Sequence, residues 1–414
     1  MTKDDIIQAA FKVWGRDLYR TTSLSQISGE LRVSKPALYR HFKDKDALLD
    51  AMNTAYFDNS ANFIKPGFEK ALCAGDQMES MLIMMRVVSE FYIRNKDAFV
   101  YSLVKAFNNQ DKNTMNNELL SRGIDFTRLV KREPGPASYP SKTQLIMVTD
   151  IFSISQFHLH SQRGGKAPSE DEVEKAIAQI ENRIIKGLEL DPQTVDSLDF
   201  RRLEQQAAGP SDNDTENNAL LRAVAEAVAE AGPWNASMEM VARRSGLSKS
   251  GLYAHFKSKQ DMLEKLFITE FTRIVDFAKA QIGTSKVVEE QLYLGIISII
   301  NYLRARPEIL MSMDWVKARQ LELGKEMPGR LYGIIKDLKL EVVKNQDPHY
   351  LVWIAQWILF LIINTLGWWP SSKDGLPSCP GGSKMWAKNA AEVPNESFRL
   401  LFRFISLGLE GLNS

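Results

Sequence analysis

Two short segments of the chain carry the same basic, hydroxyl and aromatic side chains at the same spacing. The first contains Ser34, Lys35, Leu38, Tyr39, His41, Phe42, Lys43 and Lys45, which recur 214 positions later as Ser248, Lys249, Leu252, Tyr253, His255, Phe256, Lys257 and Lys259. Ammonium and hydroxyl groups bind phosphate oxygens, and a helix N-terminus attracts the same anions. The repeated residues therefore predict recognition of a phosphate backbone.

Other chemistry is not indicated by the remaining reactive residues. His158 and His160 are two positions apart, so on a helix they point to different faces, which disfavours a metal pair. The sequence has no Cys–His cluster, phosphate-binding glycine loop or nucleophile elbow. We expect no metal, no cofactor and no enzymatic activity.

The repeated residues require two short helices to position them. Ser237 is expected to cap a helix ending near Ser245, and Gly246 to occupy a left-handed turn. Ser248 is then expected to cap a second helix that runs through Phe256. Two short helices joined by a tight turn, with polar groups at the start of the second, have the geometry that enters a DNA major groove.

Burial and charge within the motif agree with this geometry. Leu252 and Phe256 are expected to face the core beside Val241 and Leu247, which leaves the polar side chains of the second helix outside. The segments 23–43 and 237–257 each carry a local charge of +3, whereas the whole chain carries only +1. Positive charge is thus concentrated where DNA would be contacted.

The segment Val241–Lys259 resembles the DNA-binding domain of TetR-family transcriptional repressors, and Ile27–Lys45 is similar to it. The shared pattern is Val-Ala-x-x-Ser-Gly-Leu-Ser-Lys-x-Gly-Leu-Tyr-x-His-Phe-x-x-Lys. The resemblance implies a C-terminal domain that binds a small molecule and forms dimers through its last two helices. Arg32 departs from the pattern, because it takes the place of Gly246. A left-handed L-residue there would cost about 1–2 kcal/mol.

The two predicted DNA-binding surfaces differ where base edges would be read. The first consists of Ser34, Lys35, Pro36, Ala37, Tyr39, Arg40, His41 and Lys45, and the second of Ser248, Lys249, Ser250, Gly251, Tyr253, Ala254, His255 and Lys259. Arg40 could form a bidentate pair with guanine, which Ala254 cannot do. We therefore expect a double-stranded operator with unlike half-sites.

Helical spacing of apolar residues almost everywhere predicts an all-α chain made of two tandem repeats. The repeat extends beyond the motif, because Tyr92-Ile93-Arg94 recurs as Tyr302-Leu303-Arg304. The predicted domains are 1–50 and 218–264 (helix-turn-helix), 51–204 and 265–414 (helical regulatory), with a polar Gly-Pro linker at 205–217. Helices of the first half are expected at 3–18, 24–31, 35–42, 45–63, 76–94, 97–108, 115–130, 142–161 and 169–190.

Since family dimers present two identical DNA-binding surfaces, one chain with two of them is expected to form an intramolecular pseudo-dimer. In it, 142–190 would pack on 349–369 and 395–412 as a four-helix bundle. A homodimer with four DNA-binding surfaces is the alternative. Two further alternatives are a regulator with one active surface, and a ligand-binding or protein-interaction protein without a DNA role.

Residues rich in methionine and aromatic rings follow each motif, and the resemblance implies that some bind an effector. The candidates are Met85, Tyr92, Tyr101, Tyr302, Met311, Trp315, Trp353 and Trp357. Apolar pockets favour a small apolar or aromatic effector. At helical spacing, core packing explains any single one of these residues better than ligand binding does.

Composition and the N-terminus favour a soluble cytoplasmic protein. Hydrophobic residues make up 44% and charged residues 25% of the 414 residues, and only two cysteines are present. No signal peptide is recognisable at the start. The apolar segment 350–369 is long enough to span a bilayer, but we interpret it as a buried helix or a subunit contact, with no membrane partner.

Overall fold

The computed structural model describes residues 2–16, 23–108, 114–129, 140–160, 167–207, 219–231, 235–306, 309–310, 348–367 and 393–412. Every regular element in these ranges is helical, which confirms the all-α fold class. The helices of the first half are α1 (Lys3–Arg16), α2 (Leu24–Glu30), α3 (Lys35–Tyr39), α4 (Lys45–Leu72), α5 (Gln77–Arg94), α6 (Lys96–Asn108), α7 (Thr114–Ser121), α8 (Lys142–His160) and α9 (Glu170–Lys186).

The remaining helices lead into and build the second half. They are α10 (Pro192–Ser197), α11 (Phe200–Gln206), α12 (Ala219–Ala231), α13 (Met238–Ser245), α14 (Lys249–Tyr253), α15 (Lys259–Ile282), α16 (Val288–Ala305), α17 (Pro348–Gly367) and α18 (Asn395–Leu407). Most of the predicted linker falls in 208–218, outside the described residues. The domain limits expected from the sequence stay a prediction.

The helix bounds of the first half follow the predicted ones closely, with two larger differences. Helix α7 ends at Ser121 and does not run to 130 as predicted, because the chain turns at Gly123, which has a φ of 86°, before a short 3-10 turn at Phe126–Arg128. Helix α4 runs to Leu72 and continues through Pro66, although the apolar pattern predicts an end near Phe63. Buried Ile64, Phe68 and Ala71 explain the extension, because they prolong the apolar face beyond the proline.

The chain divides into two compact units that do not coincide with the two repeats. The first unit comprises residues 1–135 and 150–181, and the second comprises 136–149 and 182–414. Helices α8 and α9 of the first half each contribute residues to both. The second unit therefore contains helix ends from both halves.

In the first unit, α1–α3 enclose a small apolar core that rests on α4. Ile6, Ala10, Ile27, Leu38 and Leu48 are almost completely buried in it. Helix α4 packs along α5, and α6 packs against α1. The same long helix thus supports both the helix-turn-helix and the helices that follow.

The second helix-turn-helix is built in the same way in the second unit. Val224, Val241, Leu252 and Phe256 are buried between α12, α13, α14 and α15. The expected burial of Leu247 is wrong, because 38% of its surface is exposed. It follows left-handed Gly246 at the outer tip of the turn, and this places its side chain in solvent.

Within the second unit, the ends of α9 and α18 pair through their backbones. The Leu188 amide donates to the Ile405 carbonyl at 2.8 Å, and the Leu409 amide donates to the Ile184 carbonyl at 2.9 Å. Residues 184 and 188 are each 221 positions before their counterparts 405 and 409, so the two bonds are equivalent under exchange of the halves. Each helix thereby satisfies a terminal carbonyl of the other.

Two glycines permit this approach. Gly187 and Gly408 have φ values of 60° and 65°, a left-handed conformation suited to glycine. A Cβ on Gly408 would lie 2.1 Å from the Ile185 carbonyl oxygen, and a Cβ on Gly187 would lie 2.5 Å from the Gly408 nitrogen. The contact therefore has no room for a side chain.

Aromatic residues of α17 pack on the same helix ends. The Trp357 indole donates to the Thr149 hydroxyl at 3.1 Å. The Arg183 guanidinium lies 5.5 Å from each ring centroid of Tyr350, Trp353 and Trp357. These residues join α8 and α9 of the first half to α17 of the second.

Helix α17 is apolar and long. Tyr350–Gly367 is the one helical stretch within the described ranges that meets the length and hydropathy of a membrane span, and 56% of it is buried inside the protein. Its packing against α16 and α18 is that of a core helix.

Candidate nucleic-acid interface

The second DNA-binding surface begins with two capped helices. Ser237 caps α13 by accepting the Met240 amide at 3.2 Å, and Ser248 caps α14 by accepting the Gly251 amide at 3.0 Å. Gly246 joins the helices with a φ of 70°. Both predicted caps and the predicted left-handed turn are present, so local sequence alone orients the start of α14.

The first surface reaches the same shape with different residues. Ser23 and Gln26 form a capping box at α2, in which the Ser23 amide donates to Gln26 Oε1 at 2.7 Å. Ser34 occupies the N-cap position of α3 without a side-chain cap, and Pro36 lies in the first turn. Proline suits this position because it has no backbone N–H group, and an N–H in the first turn of a helix has no acceptor within the helix.

Helices α3 and α14 end three residues earlier than the pattern predicts, at Tyr39 and Tyr253. The chain then tightens into a turn. The His41 and Phe42 amides both donate to the Leu38 carbonyl, at 2.9 and 3.0 Å, and this turn places Phe42 in the core. His255 and Phe256 repeat the arrangement on the Leu252 carbonyl.

Most predicted DNA-binding side chains lie at the surface. Those exposed are Ser34, Lys35, Pro36, Tyr39 and Arg40 in the first copy, and Ser248, Lys249, Ser250, Tyr253, Ala254 and His255 in the second. Those half-buried are Ala37, His41, Lys45, Gly251 and Lys259. Tyr39 and Tyr253 are 53% and 49% exposed, which is unusual for an aromatic residue without a partner surface.

Lys45 and Lys259 start the long helices α4 and α15, as expected. Asp44 and Ser258 cap these helices by accepting the amides of Ala47 and Asp261 at 2.8 and 3.1 Å. Burial lowers the pKa of Lys259. Lys45 and Lys259 each lie six residues after the last residue of the preceding short helix, α3 or α14.

The turn of the first copy is strained, as expected from Arg32. Its φ is 54°, in the left-handed region that glycine fills in the second copy. The Arg32 side chain is exposed, and no atom lies within 4 Å of a Cβ built on Gly246. The left-handed backbone conformation is therefore expected to make the turn of the first copy less stable than the turn of the second.

Replacing each of the two turn residues tests this strain. Arg32→Gly should raise the free energy of unfolding by about 1 kcal/mol, and Gly246→Ala should lower it by about the same amount. Urea denaturation of both variants measures the changes. Opposite signs are required, since changes of equal sign would show that backbone conformation is not the deciding factor.

One side chain of the second surface is held by a residue that sequence analysis did not identify. The Lys249 ammonium forms an ion pair with Glu239 of α13, and this lowers the pKa of Glu239. The aligned position in the first copy is Ser25, which has no charge. The pair spans ten positions and two helices, so no local pattern indicates it.

The candidate effector residues lie apart from these surfaces. Met85, Tyr101, Tyr302 and Trp357 are buried, while Tyr92 and Trp353 are half-buried. Met311 and Trp315 lie outside the described residues. A ligand-binding role for this set stays a prediction.

A family model described as bacterial regulatory proteins, tetR family, matches the chain twice, at residues 6–52 and 220–266. An uncharacterised HTH-type transcriptional regulator of Bacillus subtilis (strain 168), YuxN, is 38% identical over 55 residues, which cover 13% of this chain and 19% of that protein. The alignment thus spans about a fifth of the length of that relative.

Two solved structures show weak similarity. A fatty acid degradation regulator, FadR, from Bacillus halodurans is 18% identical, with 43% of this chain and 96% of that chain covered and a TM-score of 0.30. A TetR-like transcriptional regulator from Rhodococcus sp. RHA1 is 18% identical, with coverages of 52% and 99% and a TM-score of 0.32. The similarity to the family therefore rests on the two sequence matches. The chain contains two tandem segments that match the DNA-binding domain of the tetR family, at residues 6–52 and 220–266.

Proposed function

We propose that the protein is a sequence-specific, DNA-binding transcriptional repressor, released from its operator by a small effector with an apolar or aromatic body. The observation that carries this proposal is the exposure of Lys35 with Tyr39, and of Lys249 with Tyr253, at the start of two capped helices. Buried leucines beneath these helices, Leu38 and Leu252, leave the polar residues available to a duplex.

The chain acts as a pseudo-dimer with two DNA-binding surfaces. The paired backbone bonds of residues 184, 188, 405 and 409 support this, because they join equivalent helix ends from the two halves. In a solution measurement the mass should be 46.9 kDa. Twice that mass would favour the homodimer instead.

The operator has unlike half-sites. Arg40 and Ala254 occupy aligned positions on the two recognition surfaces, and both are exposed. An arginine can bind guanine O6 and N7 together, whereas an alanine methyl can contact only the thymine methyl. The half-site bound by the first surface is therefore expected to contain a guanine that the other lacks.

Selection of bound sequences from a random DNA pool tests the function directly. We expect one chain per duplex and two unlike half-sites whose centres are about 10 bp apart. Recovery of a single half-site would favour a regulator with one active surface. If no sequence were enriched among the bound DNA, sequence-specific binding would be rejected.

The salt dependence of DNA affinity shows which of the two surfaces contacts phosphate groups. Lys35→Ala and Lys249→Ala should each reduce the slope of log affinity against log salt by about 0.9. Lys70→Ala and Lys286→Ala are matched controls, since exposed Lys70 lies in the last turn of α4 and exposed Lys286 lies just beyond the far end of α15, about 35–40 Å from the DNA-binding surfaces. A slope unchanged by Lys35→Ala would assign DNA binding to the second surface alone.

Glu239 is expected to weaken the second surface, because it competes with phosphate for Lys249. Replacing it with the serine found in the first copy, Glu239→Ser, should raise operator affinity about threefold, the effect of one exposed ion pair. Fluorescence anisotropy of a labelled operator measures this. Asp276→Asn is the control, since it removes an exposed carboxylate about 25 Å along α15. If both variants raised operator affinity equally, the gain would come from the loss of a negative charge anywhere on the protein and not from the release of Lys249.

An effector would act on the first surface through α6. Tyr101 of α6 contacts Phe11 of α1 edge to face, with ring centroids 5.0 Å apart. The same tyrosine lies 5.2 Å from the Tyr56 ring of α4. A ligand that displaces Tyr101 would thus change the packing of α1 and α4, which support the first DNA-binding surface. Such a ligand would stabilise a conformation that differs from the one that binds the operator.

A further inference from the structure

The two halves bury different polar groups at the same place. In the first, the hydroxyls of Tyr56 and Tyr92 are hydrogen-bonded at 2.7 Å between α4 and α5. In the second, the aligned residues are Glu270 and Tyr302, and the Tyr302 hydroxyl donates to Glu270 at 2.8 Å between α15 and α16. One copy therefore places a carboxylate where the other has a phenol.

The buried carboxylate of the second half is neutralised by the protein itself. Arg273 lies 2.6 Å and Arg306 lies 3.4 Å from the Glu270 oxygens. Only 5% of the Glu270 side chain is exposed, so these two cations compensate the loss of water. The aligned residues in the first half are Asn59 and the exposed Lys96.

The first half also buries a carboxylate, but no cation among the described residues pairs with it. Asp150 of α8 is 5% exposed, and it accepts a hydrogen bond from the Ser89 hydroxyl at 2.5 Å. Burial raises the pKa of Asp150 to about 7. A carboxylate in this environment is stabilised by any positive charge that reaches it.

The arginines of α5 point to other carboxylates. Arg86 pairs with Glu174 and Glu181 of α9, and Arg94 pairs with Glu170 at 2.5 Å. Neither compensates Asp150. The arrangement contrasts with α15, whose Arg273 turns to the buried Glu270 of its own helix.

Aromatic rings and a thioether surround this part of the first unit. The Tyr92 ring centroid lies 5.5 Å from that of Phe99, which in turn lies 5.7 Å from that of His158. The Ser89 hydroxyl that binds Asp150 also lies 3.3 Å from Met85 Sδ. Aromatic faces and a carboxylate together attract organic cations, whereas they repel anions.

We propose that the first half binds an organic cation, an amine with an apolar or aromatic body, whose positive charge pairs with Asp150 beside Ser89 and Tyr92. The ligand supplies the charge that Arg273 and Arg306 supply to Glu270 in the second half. The second half takes no such ligand, so one cation binds per chain. This inference rests on the proposed effector role and specifies its chemistry.

The test uses the full chain without DNA and three series of probes with the same carbon skeletons. These are phenylalkylamines of several chain lengths, the corresponding alcohols and the corresponding carboxylates. Isothermal titration calorimetry at neutral pH should show that the best amine binds about tenfold more tightly than its alcohol, at one per chain, and that its carboxylate does not bind. Asp150→Asn should reduce amine affinity to that of the alcohol.

Two variants separate charge recognition from general packing. Asp150→Glu retains the charge and should keep the preference for amines, whereas Asp171→Asn, which removes an exposed carboxylate of α9, should leave all affinities unchanged. Circular dichroism verifies that each variant remains helical. The proposal is rejected if no amine binds, if amine and alcohol bind equally, if Asp150→Asn keeps the preference, or if two amines bind per chain. Since no DNA is present, failure here leaves the DNA-binding proposal untouched, and the reverse also holds.

Discussion

Replacing Gly408 with alanine should lower the free energy of unfolding by about 2–5 kcal/mol and abolish operator binding. Two effects add. A left-handed L-residue costs about 1–2 kcal/mol, and overpacking costs about 1–3 kcal/mol. The added Cβ would lie 2.1–2.5 Å from backbone atoms of residues 185 and 186, which cannot move as a flexible side chain would. Urea denaturation and operator binding measure the two outcomes.

Gly187→Ala should behave in the same way, because its Cβ would meet the backbone of residues 404, 405 and 408. Gly283→Ala provides the control. Gly283 has a φ of −62°, and its nearest neighbour would lie 3.5 Å from the new Cβ, an ordinary contact. If all three variants were equally stable and bound the operator alike, the paired helix ends would have no role in holding the halves together.

The contribution of Asp150 to stability should fall as the pH rises from about 4 to 7. Its pKa is about 7 in the folded protein, against a reference value of 3.8. The folded state therefore binds more protons than the unfolded state between these values. The stability that this group contributes is complete below the reference pKa and is lost as the pH passes the folded pKa. The full change is about 4 kcal/mol.

Asp150→Asn removes the titrating group and tests the assignment. The variant should be more stable than the parent at pH 8, and its stability should vary less between pH 4 and 7. Urea denaturation across that range gives the difference between the two proteins, in which the contributions of other carboxylates cancel. Asp171→Asn should retain the parent's pH dependence. A parallel profile for parent and Asp150→Asn would show that Asp150 does not titrate in this range.

The two predictions test different parts of the proposed regulation. The glycine variants test whether the paired helix ends hold the two halves together, while the Asp150 variant tests the proposed response of the first half to a ligand. A bound amine should reduce the pH dependence of the parent protein, because its charge favours the ionised carboxylate. This links the stability measurement to the binding measurement without using DNA.

The sequence by itself determined the all-α class, the repeat and the local form of both helix-turn-helix motifs. Ser237, Ser248 and Gly246 act on residues one turn away, so caps and turns follow from adjacent side chains. The strain at Arg32 was predictable for the same reason. Only the tertiary structure revealed the Glu239–Lys249 pair, the exposure of Leu247, the glycine contact and the burial of Asp150 beside Ser89. Ser89 and Asp150 are 61 positions apart, and Gly187 and Gly408 are 221 positions apart. Such contacts depend on how helices pack, because neither spacing nor residue type specifies which distant side chain will compensate a buried charge.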